Sequence, residues 1–344
     1  MSTERTEIEK LGEFGLIDQL TKNFETQNAS TVLSIGDDAA VIDHFGKQSV
    51  ITTDLLIEGV HFDLMYTPLK HLGYKSVIVN LSDVYAMNAQ PTQITMSLAF
   101  SNRFSVEALE EFYEGVQIAC ERYGVDLIGG DTSTSQKGLI ISVTAIGEVT
   151  PDQFVKRSTA ESGDLICVSG DLGAAFLGLT LMEREKKIFL ENPQVQPSLE
   201  NEDYIVGRLL RPEARKDIID YLAEQNIVPT SMMDISDGLS SDILHLCRQS
   251  GLGCRLYEDK IPLHEDTKAA AFKFGLDPTV CALNGGEDYE LLFTMKQSEY
   301  DKITMQEEIS VIGYMCDLEE GNKIITKGNN VFDITAQGWN AFVK

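Results

Sequence analysis

Short apolar-rich runs with β-branched residues, SVITTDLLI (49–57), QITMSLAF (93–100) and LIISVTAIGEV (139–149), predict three strands. Between them, LKHLGYKSVIVNLSDVYAM (69–87) and VEALEEFYEGVQIACERYG (106–124) space their apolar residues as helices do. Strands interleaved with helices in this way predict an α/β or α+β layer structure with an antiparallel component. A fresh start near residue 155 follows, where SGDLICVSGDLGAAFLGLTLM (162–182) reads as strand, glycine turn and helix. ENPQVQPSLENED (191–203) has no apolar period and predicts a loop, after which RPEAR (211–215) puts Pro212 at a favoured first helical position. No short-period repeat is present. The expected division is into residues 1–154 and 155–344.

Length agrees with that division, because 344 residues exceed what one modest core organises. Hydrophobic residues make up 43% and charged residues 24%, and no apolar run approaches the roughly 18 residues of a membrane span. The opening MSTERTEIEK lacks the apolar core of a secretory signal, so a cytoplasmic location is expected. Six cysteines, scattered without a CxxC pair, predict reduced core thiols rather than a zinc site or disulfide framework. A formal charge of −26 argues against nucleic acid and anionic membranes as partners, since both are bound mainly through Lys and Arg.

Charge becomes informative where acids sit beside glycines or at the ends of apolar runs. These places are GDD (36–38), TTD (52–54), NLSD (80–83), GGD (129–131), DISDG (234–238) and GGED (285–288). Asp-Gly pairs are also turn signatures, so any one motif has a structural explanation. Together they suit a metal–polyphosphate site: glycines let backbone amides approach phosphate oxygens, and carboxylates hold the hard divalent cations that neutralise them. Within SIGDDAAVID, neighbouring side chains of an extended segment point to opposite faces, so one of Asp37 and Asp38 faces the ions and the other supports it or caps the turn. There is no GxxxxGK[ST] loop and no kinase HRD or DFG set. GDLG (170–173) is half a dinucleotide fingerprint, better explained by close strand–helix packing.

The ordered series GEFGLI (12–17), SIGDDAAVI, TTDLLIEGVHF (52–62), NLSDVYAM, LIGGDT (127–132), DISDGLSSD (234–242) and NGGEDYELLF (284–293) resembles thiamine-monophosphate kinases, in the aminoimidazole ribonucleotide synthetase superfamily. The resemblance spans nearly the whole chain. It implies a two-domain (PurM-like) fold of α/β and α+β class, with an N-terminal α/β domain that dimerises through its sheet, a C-terminal α+β domain, and ATP bound by both. It also implies ATP-dependent phosphorylation of thiamine monophosphate by direct transfer, without a covalent enzyme intermediate. By the same resemblance Asp38, Thr52, Asp54, Asp83, Asp131 and Asp234 match magnesium ligands, with Thr53 contributing through its backbone and Asp237 adding a further ion. Asp54 and Asp131 would act in catalysis through those ions. Gly130, Asp131, Arg157 and Ser236 match ATP contacts, and His61, Glu287 and Trp339 fall where the family holds thiamine phosphate. His61 has a second explanation as a half-buried, satisfied histidine, and Trp339 as the anchor of a terminal helix. Arg157 has a second explanation as an unremarkable surface arginine, though its family position favours phosphate contact, which the guanidinium fork suits. Of the adjacent pair Glu287 and Asp288, one is expected to face the ligand, and Glu287 is the choice. A monovalent cation activator is compatible with this chemistry. Two alternatives stay open: another ATP-dependent enzyme of the superfamily acting on a different phosphate or amide, and a divalent-cation-binding protein without enzymatic activity.

Overall fold

The computed structural model describes residues 19–33 and 41–336. Asp37, Asp38 and Trp339, with most of the GEFGLI and SIGDDAAVI motifs, therefore lie outside the described residues. The chain divides into two units. The first runs to Val84 and resumes over Ala89–Asp152; the second comprises Tyr85–Asn88 and the chain from Gln153 onward.

In the first unit, β1 (Thr31–Leu33) and β2 (Val41–Ile42) form a short antiparallel ladder. A four-stranded sheet is built from β3 (Gln48–Ile57), β4 (Gln90–Phe100), β5 (Asp126–Thr134) and β6 (Ile140–Val149), in the order β3-β6-β4-β5. Only β4 and β5 run parallel. Helix α1 (Leu69–Ala86) joins β3 to β4, and α2 (Val106–Tyr123) joins β4 to β5. The strands and helices expected from the apolar pattern are all present, within three residues at each end. Helix α1 is buried on nearly every side, with Val77, Ile78, Leu81 and Val84 sealed from solvent. Polar Asn80 and Ser76 are sealed as well, so their presence in a core helix needs partners. Helix α2 shows the ordinary signals, with Ser105 capping its start and Gly124 in the left-handed conformation closing its end.

The second unit carries β7 (Leu165–Ser169), α3 (Ala174–Glu191), α4 (Asp203–Leu210), α5 (Lys216–Glu224), β8 (Ser231–Ile235), α6 (Leu239–Ser250) and β9 (Gly253–Tyr257). After these come α7 (Glu265–Phe274), α8 (Pro278–Asn284), β10 (Glu290–Met295), α9 (Tyr300–Ile303), β11 (Ile309–Cys316), β12 (Asn322–Ile325) and β13 (Val331–Asp333). Its seven strands form one sheet in the order β13-β12-β9-β11-β7-β10-β8, antiparallel except for β9 and β12. Ile166, Val168, Met233, Ile235, Leu292 and Ile312 on one sheet face pack with Leu239, Ile243 and Leu246 of α6. All six cysteines are buried and free, as expected.

One expectation is corrected. Pro212 does not open a helix, because the helix begins only at Lys216. Residues 211–215 stay non-helical and deliver Arg215 into the interior, where its guanidinium pairs with buried Glu290 at 2.7 Å and reaches Asp217 and Glu308. Glu290, sealed from solvent, also pairs with Arg208 at 2.8 Å, so Arg215 completes a buried two-guanidinium clamp on one carboxylate, and that network outweighs the helix-start preference of proline.

Candidate active site

Strand β3 presents two faces. Thr52 and Asp54 point toward α1, where the Thr52 hydroxyl donates to Asp83 Oδ2 at 2.6 Å and the Asp54 amide donates to Asn80 Oδ1 at 3.0 Å. Asn80 in turn donates from Nδ2 to the Ser76 carbonyl at 3.0 Å, which accounts for its place in the core. The TTD and NLSD motifs thus meet. Asp54 is pushed up to about 6, first by burial and then by the neighbouring charge of Asp83. Thr53 points the other way: its hydroxyl donates to the Val143 carbonyl at 3.0 Å, leaving only its backbone near Asp54. His61 closes the turn after β3, with Nδ1 accepting the Ile57 amide at 3.0 Å.

The GGD motif lies on β5, at the opposite edge of the sheet. Cross-strand register aligns Asp54, Val143, Met96 and Gly130 in one row and Leu55, Ser142, Ser97 and Asp131 in the next. Paired residues share a face, so Asp131 stands with exposed Leu55 on the uncovered face while Asp54 stands on the face under α1. Three strand spacings, about 14 Å, also separate their strands. One chain therefore does not bring Asp54 and Asp131 together. Packing requires glycine at 130, since a Cβ there would sit 1.8 Å from the Met96 carbonyl oxygen.

In the second unit, Asp234 is buried at the end of β8, and the loop 236–238 carries Ser236 and Asp237 into α6. Asp242, on the first turn of α6, is buried beside them and accepts the Asp237 amide at 3.3 Å. Burial, then Asp234 and Asp237, push its carboxyl up to about 8. Burial also raises Asp237, opposed by His245 and by Arg157, so the exposed Arg157 guanidinium lies within electrostatic reach of the DISDG loop. The GGED loop is stitched to the same place. Glu287 and Tyr289 donate their amides to the carbonyls of Ser236 at 2.8 Å and Ile235 at 2.9 Å. Both residues adopt left-handed backbone, φ 65° and 53°, a strained conformation that persists only where the surroundings impose it. This alternation turns Asp288 inward, where its Oδ2 accepts the Gly173 amide at 2.9 Å, and leaves Glu287 part-exposed. Gly170 and Gly173 of the GDLG turn serve packing, as expected: added Cβ atoms would strike Glu290 and Arg215 at the first and Ala282 at the second.

Sequence reading alone missed Asn80 as the tie between α1 and β3, Asp242 as the third carboxylate of its cluster, and Asp288 as the inward pin. All three lie inside the recognised motifs, so the signal was present but not its direction. The donors are carboxylate, hydroxyl and backbone oxygens, the set a hard divalent cation takes. The carboxyls of Asp54 and Asp242 are raised first by burial and then by neighbouring carboxylates, a cost of ionisation that such a cation would relieve. Among the described residues, no group of three or more His, Cys, Asp or Glu side chains is gathered closely enough to hold a metal ion. The donor chemistry fits magnesium; a completed cage requires further ligands.

Two sheet-bearing units with glycine–aspartate loops define the class, and family models agree: AIR synthase related protein, N-terminal domain, matches residues 36–149, and the C-terminal domain matches residues 161–318. This is the two-domain fold of α/β and α+β type. A curated thiamine-monophosphate kinase of Aquifex aeolicus is 37% identical over 97% of this chain and 99% of its own. Among solved structures, AaThiL complexed with AMPPCP and TMP is 35% identical, covers 99% of this chain and 100% of its own, and superposes with a TM-score of 0.73. Thiamine-monophosphate kinase from Stenotrophomonas maltophilia gives a TM-score of 0.79 at 32% identity, covering 94% and 98%. The chain belongs to the thiamine-monophosphate kinase family.

Proposed function

We propose that this protein transfers the γ-phosphoryl group of ATP to thiamine monophosphate, giving ADP and thiamine diphosphate. The observation that carries the reading is the near-complete match to a relative solved with AMPPCP and TMP, read as thiamine monophosphate, together with oxygen-donor loops at the corresponding motifs here. Asp38, Thr52, Asp54, Asp83, Asp131, Asp234 and Asp237, with the Thr53 backbone, are the residues that would hold magnesium. Bound magnesium would supply the positive charge that lets two anionic phosphates approach.

The chain's own residues do the rest. Arg157 offers a planar fork suited to phosphate oxygens, and Ser236 and the Gly130 backbone add polar contacts to ATP. His61, Glu287 and Trp339 hold the acceptor. The attacking oxygen belongs to a phosphate already anionic at neutral pH, so no general base is needed. Transfer is direct and in line, and its barrier is one of alignment and repulsion. A cytoplasmic location suits the pairing with ATP.

The protein acts as a homodimer in this reading. The uncovered face of the first unit's sheet exposes Ile51 by 66% and Leu55 by 51%, an apolar surface a second copy would cover. Asp131 stands on that same face, so its carboxylate would serve a site drawn from two copies rather than join Asp54 of its own chain. A coupled assay of ADP release tests the function: release should depend on both magnesium and thiamine monophosphate. ADP release indifferent to thiamine monophosphate would instead assign another acceptor.

A further inference from the structure

The second unit contains a cavity of about 460 Å³ on the sheet face formed by β7, β9 and β11, closed on one side by α9. None of its lining residues belongs to the glycine–aspartate loops. Its volume falls in the range of small-molecule pockets. Leu165, Ile309 and Val311 lie along its sheet side. Tyr257 and Tyr314 form an aromatic wall with ring centroids 6.4 Å apart and planes tilted by 41°, and Tyr300 adds a third ring from α9. Lys260 and Gln306 also line it.

The polar groups here are unspent. Among the described residues, the hydroxyls of Tyr257, Tyr300 and Tyr314 and the ammonium of Lys260 have no hydrogen-bond or ion-pair partner. Lys260's neighbour Glu258 is turned away, accepting the Lys327 amide at 3.0 Å. Gln306 receives only a long contact from the Glu308 amide at 3.4 Å, so its carboxamide keeps both a donor and an acceptor.

The geometry points to a binding site for an adenine nucleoside monophosphate, separate from the candidate active site. A flat base stacks on tyrosine rings whatever its identity, and a glutamine carboxamide matches the donor–acceptor edge of adenine. A single lysine supplies one strongly hydrated point charge, suited to one phosphate group. The site does not depend on the catalytic reading, because it shares no residue with it.

Photolabelling of the full-length protein with 8-azidoadenosine monophosphate, followed by peptide mapping, tests this directly. Saturable label is expected on peptides containing Tyr257, Tyr300 or Tyr314, half-maximal below about 1 mM probe and suppressed by excess AMP. Lys260→Glu should weaken that labelling at least about tenfold by replacing attraction with repulsion. Tyr314→Ala should do the same through lost stacking. Lys260 is exposed, so its variant keeps the fold and decides the matter should Tyr314→Ala fail to fold. Label confined to other peptides, or label at these tyrosines unchanged in Lys260→Glu, would overturn the assignment.

Discussion

Replacing Asp54 with Asn should stabilise the metal-free protein. The Asp54 carboxyl rises from 3.8 to about 6 because folding buries it beside Asp83, so its ionised form is disfavoured in the folded state. A raised acid binds more protons folded than unfolded between these values, and wild-type stability therefore falls as pH climbs from about 4 to about 6. That rise sets a ceiling of about 3 kcal/mol on what ionisation costs the fold. The side chain is only half-buried, and solvent screening lowers the expected gain to roughly 1 kcal/mol. Urea unfolding in chelator should show Asp54→Asn more stable than wild type by that amount at pH 7.5, with the gap closing near pH 4, where both proteins are uncharged at this position. Magnesium should narrow the gap from the other direction, by stabilising wild type more than the variant. A variant less stable at pH 7.5, or a gap that persists unchanged to pH 4, would refute the view that Asp54 is held ionised against its own folding cost.

Other outcomes follow from the same geometry. Asp131→Asn should lower turnover at least about a hundredfold at saturating magnesium, the scale of losing one strong electrostatic stabiliser, as measured by steady-state ADP release. If the proposed dimer forms through this sheet face, light scattering should find a dimer for wild type and a monomer for Ile51→Asp, with the melting temperature of the monomer little changed because Ile51 is 66% exposed. Gly286→Ala places a Cβ 2.3 Å from the Ser236 carbonyl oxygen, so unfolding free energy should drop by about 1–3 kcal/mol and the KM for ATP should rise.

What the sequence made legible follows its local patterns. Strands β3, β4 and β6 announce themselves as short apolar runs rich in β-branched residues, helices α1 and α2 by the spacing of their apolar residues, and the acidic loops because glycine and aspartate mark turns near chemistry. Direction was not legible. Period two says that Asp54 and Leu55 face opposite ways, but only the register across β6 and β4 shows that Asp131 shares the face of Leu55. Sequence reading already favoured Glu287 over Asp288 as the outward residue, but the physical reason, the two left-handed backbones that flank Asp288, is announced by no local pattern in Glu and Tyr. Pro212 misled for a related reason. A buried partner 75 positions away, Glu290, claims Arg215 and delays the helix. Long-range electrostatics of that kind leaves no mark within a short window of sequence.

The first measurement to make is a ³¹P NMR time course of the purified protein with ATP, magnesium and thiamine monophosphate, beside a control without the acceptor. Thiamine diphosphate and ADP resonances should grow together, and only when thiamine monophosphate is present. Loss of ATP without thiamine diphosphate, or no reaction at all, would contradict the proposed phosphoryl transfer.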